Sequence, residues 1–535
     1  CLEAPLPAQY SGGIIPNPDF DEGLKGWTAF ASGEIEERTS SGGNKFAATV
    51  RRREPYHSFS HKLRLEEGKL YTLSAWLQVK EGEAPITAVF KTDSGYTHAG
   101  VVWAKSGCWS MLKGGITANR TGPAELYFET KNTTLEMWVD GVSLQPFSEE
   151  EWRTHQEESI EKVRKRTVAF TVRDAHGRPI PGATVTIKQA RGGFPFGCAI
   201  TSYILSNEAY QSWFASRFTV TVFENELKWY STERIRGNED YSVADAMLAF
   251  AGQRGIAVRG HNILWDDPHY QPAWVPSLPT PELQFAVSHR VNSVVSRYRG
   301  RLIDWDVVNE NLHWSFFESR LGPGASASAY QRTQQIDPGA TLFLNEYNTL
   351  EEPGDPASTP SKYLQKVREM SGIRRLAIGL QGHFHTPNIP YMRAAIDTLA
   401  GTGLPIWLTE VDVTEVPNQA HFLEQVLREA HAHPAVGGIV LWSGWRPFGC
   451  NTCLTDNEFR NLPTGDVVDA LIREWGTHQL VGTADDRGVF EARLFHGDYE
   501  VTVSHPASNA TAPAQNLTVA PLLEPDVPVQ VYLVA

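Results

Sequence analysis

Eight short apolar runs recur between residues 193 and 476, each separated from the next by a stretch with helical spacing. The runs are FGCAIT, FTVTVFEN, AVRGHNILW, IDWDVVNE, TLFLNEY, AIGLQGHF, PIWLTEVD and GGIVLWSGW. The stretches between them include VADAMLAFAGQRG, PELQFAVSHRVNSVVSRYRG, KYLQKVREMSG and HFLEQVLREAHAHP. Near-continuous apolar strands alternating with amphipathic helices require a parallel sheet covered on its outer face, and eight repeats fit a closed (β/α)8 barrel. Such barrels build their sites at the C-terminal strand ends. Glu224, Asn225, Lys228, His261, Asn309, Glu310, Glu346, Gln381, His383, Glu410 and Asp412 all fall at or just past those ends.

A chain of 535 residues is too long for one core, so further domains are expected. Residues 1–147 carry alternating runs (KFAATV, LYTLSAWLQV, ITAVFKT, AELYFET, LEMWVDGVSL) between Gly and Pro turns, which predicts an antiparallel, jelly-roll β-sandwich. Ser148 and Glu151 then have capping-box spacing, so 148–166 reads as a charged connecting helix. Residues 167–192 read as two strands around a Gly/Pro turn, which are marginal alone. Their complement lies at 477–535, in GVFEARL, GDYEVTVS and VPVQVYLV. The two stretches resemble the carboxypeptidase regulatory-like sandwich at Asp174, Gly177, Pro179, Ile180, Gly182 and Ala183, and at Asp486, Gly488, Phe490, Gly497 and Tyr499. One small split β-sandwich with the barrel inserted into it is the expected arrangement.

The net charge of −14 and the lack of a dense Lys/Arg run argue against nucleic acid as a partner. No apolar run approaches the roughly 20 residues that cross a bilayer, so no membrane partner is expected, and the chain is expected to be a monomer. Sequons at Asn119, Asn132, Asn509 and Asn516 point to a secreted, extracellular protein. Cys450 and Cys453 lack a second close pair, which leaves a local disulfide or two inert thiols. The cluster of His261, His383 and His385 raises the possibility of a metal site, but the chemistry inferred below needs none, and neither a metal nor any other cofactor is expected.

The chain has no phosphate-cradling glycine loop and no serine nucleophile elbow. It offers two carboxylates on different strands, Glu310 at the fourth and Glu410 at the seventh, ringed by amides, imidazoles and Trp. That inventory suits glycosidic cleavage, in which one carboxyl gives a proton and the other acts on the sugar. Lys228 reads as a sugar ligand or a solvated rim lysine. Glu224 and Glu346 read as a buried pair that holds the barrel mouth.

The runs ENELKW (224–229), GHNILW (260–265), DWDVVNEN (304–311), GLQGHF (379–384) and LTEVDV (408–413) resemble glycoside hydrolase family 10, the endo-β-1,4-xylanases. The N-terminal sandwich is similar to a family 22 carbohydrate-binding module, and the layout looks like a plant member. The resemblance implies a retaining hydrolysis of xylan or arabinoxylan at the cell wall, with Glu310 as acid/base and Glu410 as nucleophile. It implies that Asn225, Lys228, His261 and Gln381 clamp a sugar, that Asn309 bonds its 2-hydroxyl, and that Trp265 and Trp442 wall the cleft. His383 would orient Glu410, with Asp412 behind it. A transglycosylase or a non-hydrolytic xylan-binding protein is the alternative. The loop after the eighth strand, with Trp445 and the Cys450/Cys453 pair, departs from many bacterial relatives on the leaving-group side.

The chain holds 16 Trp, 17 Tyr and 24 Phe, and flat rings suit pyranose faces as well as cores. In the N-terminal module Tyr56, Tyr96 and Trp103, with Arg52 and Glu136, are the candidate sugar contacts. Trp27 and Trp138 read as packing residues.

Overall fold

The computed structural model describes residues 1–505, 507, 512–521 and 528–534. The sequon at Asn509 lies outside the described residues. Eight strands form the barrel: β1 (Phe196–Ile200), β2 (Val220–Phe223), β3 (Ala257–Trp265), β4 (Asp304–Asn309), β5 (Thr341–Glu346), β6 (Leu376–Leu380), β7 (Ile406–Val413) and β8 (Val436–Leu441). Each pairs in parallel with the next, and β8 returns to β1 through Phe196↔Ile439 and Cys198↔Leu441. A two-residue strand, His383–Phe384, lies beside the end of β7. The strands are buried on both faces, which is why their sequences are largely apolar, with Arg259, His261, Asp304 and Asp306 as charged or polar exceptions. The helix after β3, Thr280–Tyr298, shows the complementary stripe: Leu283, Val287, Val291, Val294 and Tyr298 are buried at helical spacing.

A charged column stands inside the barrel. Arg259 on β3 donates from Nε to Asp304 Oδ2 at 3.1 Å and from Nη2 to Asp306 Oδ1 at 2.9 Å. The other oxygen of Asp306 meets His261 Nδ1 at 2.7 Å, and His261 Nε2 stands 3.9 Å from Glu410 Oε1. All of these side chains are buried. The column therefore links the barrel floor to its mouth.

The N-terminal sandwich has two five-stranded sheets, ordered Thr28–Ala29, Phe59–Leu65, Gly122–Glu129, Glu83–Thr92, Gly95–Lys105 and Glu34–Thr39, Lys45–Val50, Met137–Phe147, Leu70–Val79, Ser110–Thr117. The expected runs are all strands. The strand Glu34–Thr39 (EIEERT) escapes a hydrophobic reading because it is a charged edge strand with most residues exposed. Trp27 is core, and Trp138 packs against Phe46 at a ring distance of 4.9 Å. Disulfides join Cys1 to Cys108 and Cys450 to Cys453, while Cys198 is free and buried.

The helix Glu149–Arg164 opens with the capping box of Ser148 and Glu151. It is docked rather than solvated. Trp152 Nε1 and Gln156 Nε2 donate to the buried Glu429 at 2.8 and 2.7 Å, and Arg164 donates to the carbonyls of His431, His433 and Val436. Burial of Trp152, Gln156 and Ile160 turns a helix that is polar on average into a brace on the barrel wall.

Strand Lys165–Arg173 sits between Val489–Phe495 and Val529–Val534, and Thr184–Gly192 sits between Gln479–Thr483 and Gly497–Ser504. These two sheets enclose one core containing Phe170, Val185, Leu494 and Tyr499. The turn carboxylate in the second stretch is Asp485, whose Oδ1 takes the N–H groups of Arg487 and Val489, rather than the neighbouring Asp486. Proteolytic nicking near residue 477 should leave the C-terminal fragment bound to the rest under native conditions. Size-exclusion chromatography after nicking checks this, and a cleanly released 477–535 piece would refute the shared core.

Candidate functional site

The C-terminal mouth of the barrel holds two carboxylates in opposite electrostatic settings. Glu310 follows β4 with a left-handed φ of 60°, a conformation that costs energy for a non-glycine residue and is fixed by its N–H donating to the Asn345 carbonyl at 2.9 Å. Trp265 Nε1 donates to its Oε2 at 2.8 Å and Gln381 Nε2 to its Oε1 at 3.0 Å. Burial pushes this carboxyl above the ordinary glutamate range; the two donors pull it down, and the neighbouring charge of Glu410 pushes it up again.

Glu410, on β7, is buried but surrounded by positive charge and donors. Asn345 Nδ2 reaches its Oε1 at 2.9 Å, and His383 Nε2 reaches its Oε2 at 3.3 Å. Burial alone would raise its pKa; His383, His261 and Lys228 overcome that and hold it down to about 2. Burial likewise disfavours a charged His383, yet Asp412 at 3.0 Å from Nδ1 and Glu410 raise its pKa well above the usual value. The imidazolium is thus clamped between the two carboxylates.

The remaining expected barrel residues, Asn225 apart, gather around this pair. Lys228 is buried, not a rim lysine: its Nζ lies 4.3 Å from the Trp265 ring centre and 5.7 Å from that of Trp442. Burial lowers its pKa, while Glu410 and Glu310 work to keep it charged. Trp442 stands edge-on to His261 at 5.4 Å, and Trp265 stacks on Tyr270 at 4.1 Å. Asn309 Oδ1 accepts from Asn345 Nδ2 at 2.9 Å, and the exposed Asn225 accepts from Tyr230 Oη at 2.6 Å. His385 is not part of the clamp.

Glu224 and Glu346 do not pair with each other. Glu224 takes Arg446 Nη2 at 2.7 Å, and burial pushes it up to about 7. Glu346 takes the Leu312 N–H at 2.8 Å and His313 Nδ1 at 2.7 Å, and His313 Nε2 meets Asp355 at 2.9 Å. Trp445 packs with Tyr210 and Phe459 and belongs to the core beneath the mouth.

Asn345 was not among the expected residues, although it bridges Asn309 and Glu410 in the middle of the site. Only its place one residue before Glu346, at the end of β5, signals it. Tyr347, stacked on His313 at 3.8 Å, carries no sequence signal of its own. Glu351 accepts the N–H groups of Gly382 and His383, both at 2.8 Å, from a loop with no recognisable motif.

In the N-terminal module two candidates are already spent on structure. Arg52 donates to the carbonyls of His57, Asn132, Leu135, Pro55 and Thr130, so it clamps loops and has no donor left for a sugar. Glu136 accepts from Trp138 Nε1 at 2.7 Å and pairs with Arg38 at 3.0 Å, on the opposite sheet. Tyr56 and Tyr96 are exposed and end a row of rings, Tyr56, Phe30, Tyr127 and Tyr96, with Phe30 stacked on Tyr127 at 3.8 Å. Tyr127 and Glu129 point to the opposite sheet face from Leu126 and Phe128, and Tyr127 is itself buried beneath Phe30. Trp103 lies further along the same sheet face, with Lys362 of the barrel 5.3 Å from its ring centre.

A parallel barrel with converging carboxylates at its mouth defines a hydrolase-type barrel of the kind that cleaves glycosides. The glycosyl hydrolase family 10 model matches residues 186–459, and a carbohydrate-binding domain model matches residues 12–135. The chain belongs to glycosyl hydrolase family 10. It is 44% identical over 462 residues to endo-1,4-beta-xylanase 5 of Arabidopsis thaliana, spanning 84% of this chain and 81% of that protein. To endo-1,4-beta-xylanase 5-like of the same plant it is 42% identical over 92% of this chain and 87% of that protein. Among solved structures, xylanase 10B of Thermotoga petrophila RKU-1 in complex with xylobiose is 23% identical, covering 53% of this chain and 94% of that one, with a TM-score of 0.48.

Proposed function

We propose that this protein is an endo-1,4-β-xylanase that hydrolyses xylan or arabinoxylan with retention of configuration. The observation that carries the two roles is the opposite tuning of two neighbouring carboxyls, one raised by burial and one held down by His383, His261 and Lys228, while retention rests on membership of the family. Glu310 gives its proton to the glycosidic oxygen while the Glu410 carboxylate attacks the anomeric carbon, forming a covalent glycosyl-enzyme. Water then attacks the same carbon, Glu310 takes its proton, and Glu410 leaves. Asn309, fixed by Asn345, is placed to bond the 2-hydroxyl, and Trp265 and Trp442 wall the sugar. Proton NMR of the first-formed product should show the β-anomer; an α-anomer would rule out the double displacement.

The pH dependence follows from the same tuning. Activity needs Glu410 ionised and Glu310 protonated. The acid limb therefore falls only as pH approaches about 2, and the alkaline limb falls as Glu310 loses its proton, above the ordinary glutamate range. Initial rates across pH should trace this bell. In Glu310→Gln, assayed on an aryl xyloside whose leaving group needs no proton, the alkaline limb should vanish.

The exposed Tyr56 and Tyr96, backed by the buried Phe30 and Tyr127, are proposed to hold the polysaccharide on the module. We also place the protein outside the cell, at the wall. The two disulfides and the exposed sequon residues Asn119, Asn132 and Asn516 support that reading. Mass spectrometry of the native protein, before and after glycosidase treatment, tests it.

A further inference from the structure

The module and the barrel meet over a groove of about 350 Å³. One wall is the outer face of the module sheet, where the register sets Pro85 against Trp103, Thr87 against Val101 and Glu129, and Val89 against His98. Further along the same face Lys91 lies opposite Tyr96, and Tyr127 opposite Val89. Trp103, His98 and Glu129 in the groove thus share a face with the ring row. From Pro85 to Lys91 that face runs about 20 Å at ~3.4 Å per residue. Tyr127 Oη donates to Glu129 at 3.3 Å and His98 faces Glu129 at 3.9 Å, so row and groove are joined by polar groups.

The other wall is a barrel segment, Pro353, Gly354 and Pro356 with Ser361 and Lys362. It approaches so closely that a Cβ on Gly354 would lie 2.2 Å from His98 Nδ1. The same segment borders the active site: Asp355 takes His313 Nε2, and His313 stacks on Tyr347 beside Glu346. An apolar floor (Trp103, Pro85, Pro353, Pro356) with polar edges (His98, Glu129, Thr87, Lys362) is the combination that a pyranose needs, since its flat face is apolar and its rim is hydroxyls.

We propose that the groove is a polysaccharide site built jointly by the module and the barrel, on the same sheet face as the exposed Tyr96, so that the barrel segment 353–362 forms part of the module's grip on the chain. This rests on the xylanase reading above. The ligand is the same neutral β-1,4-linked chain, and the barrel's share of the site places a chain held by the module beside the wall of the active-site cleft.

The test uses the full chain carrying Glu310→Gln and Glu410→Gln, titrated with xylohexaose by calorimetry. Two binding events are expected, one in the barrel cleft and one on the module. Tyr96→Ala should weaken the module event, and so should Lys362→Ala and Val101→Trp, which alter the barrel side and fill the groove. Each loss is expected at about tenfold, roughly 1.4 kcal/mol. Melting curves that match the parent exclude unfolding as the cause, and three variants acting by different means guard against one of them failing to fold.

If Tyr96→Ala removes the module event while Lys362→Ala and Val101→Trp leave it unchanged, the module binds alone and the joint site is overturned. A single event, unaffected by any of the three, overturns it as well. A wild-type protein that releases no reducing ends from xylan would instead defeat the xylanase reading, which separates the two failures.

Discussion

Glu310→Gln and Glu410→Gln are each expected to remove nearly all release of reducing ends from xylan, with kcat falling by about 10²–10⁴-fold for the acid/base variant and at least as far for the nucleophile variant. The two should differ in how they fail. A Gln at 310 keeps the hydrogen bonds to Trp265 and Gln381 within reach but cannot give a proton. An aryl xyloside with a good leaving group should therefore recover the first step in Glu310→Gln. It should not in Glu410→Gln, which has no carboxylate to attack with. The removal of Glu410 also unpairs His383 from one of its two carboxylates, which lowers the imidazole pKa. Wild-type-like turnover in either variant would overturn the assignment.

The second large effect concerns stability. Arg259→Met is expected to destabilise the barrel by about 3–5 kcal/mol, because it strands two buried carboxylates, Asp304 and Asp306, that now share one guanidinium. Asp306 would then have His261 as its remaining side-chain partner, and the column that positions His261 below Glu410 would lose its base. Denaturant unfolding followed by tryptophan fluorescence, read on the barrel transition, measures the loss. The double replacement Asp304→Asn with Asp306→Asn in the Arg259→Met background should recover part of it, since the stranded charges are gone. An unchanged midpoint in Arg259→Met would mean that the carboxylates are neutral in the native protein.

Much of this molecule was legible in its sequence, for identifiable reasons. The barrel announces itself because each strand is buried on both faces and so is mostly apolar, and the alternation with helices at regular length suffices. Glu310 and Glu410 fall at strand ends, where such barrels build their sites, and the pairing of His383 with Asp412 was legible only through the family resemblance. What escaped has its reasons too. Asn345 works through two side-chain amide bonds that no spacing rule encodes. Glu224 and Glu346 are both buried acids at the mouth, yet their partners, Arg446 and His313, come from loops whose conformation is not written locally. Arg52 is illegible in one dimension, where an arginine that binds sugar and one that ties five carbonyls look alike. The braced helix Glu149–Arg164 misled through composition: a few buried residues among many charges decide its contacts.

The sandwich assembled from both sides of the barrel has a bearing on how the chain is made. On the ribosome, Lys165–Arg173 and Thr184–Gly192 emerge early, but their partners from Gln479 onward follow only after roughly 290 more residues. At about 5–20 residues per second, that leaves unpaired strand edges waiting for about 15–60 s while the barrel forms between them. Until then the nascent chain presents sticky edges that a chaperone or a neighbouring chain can occupy. The order of synthesis thus makes the final strands a seal, and a translation product cut short before them would carry a complete barrel with an open seam.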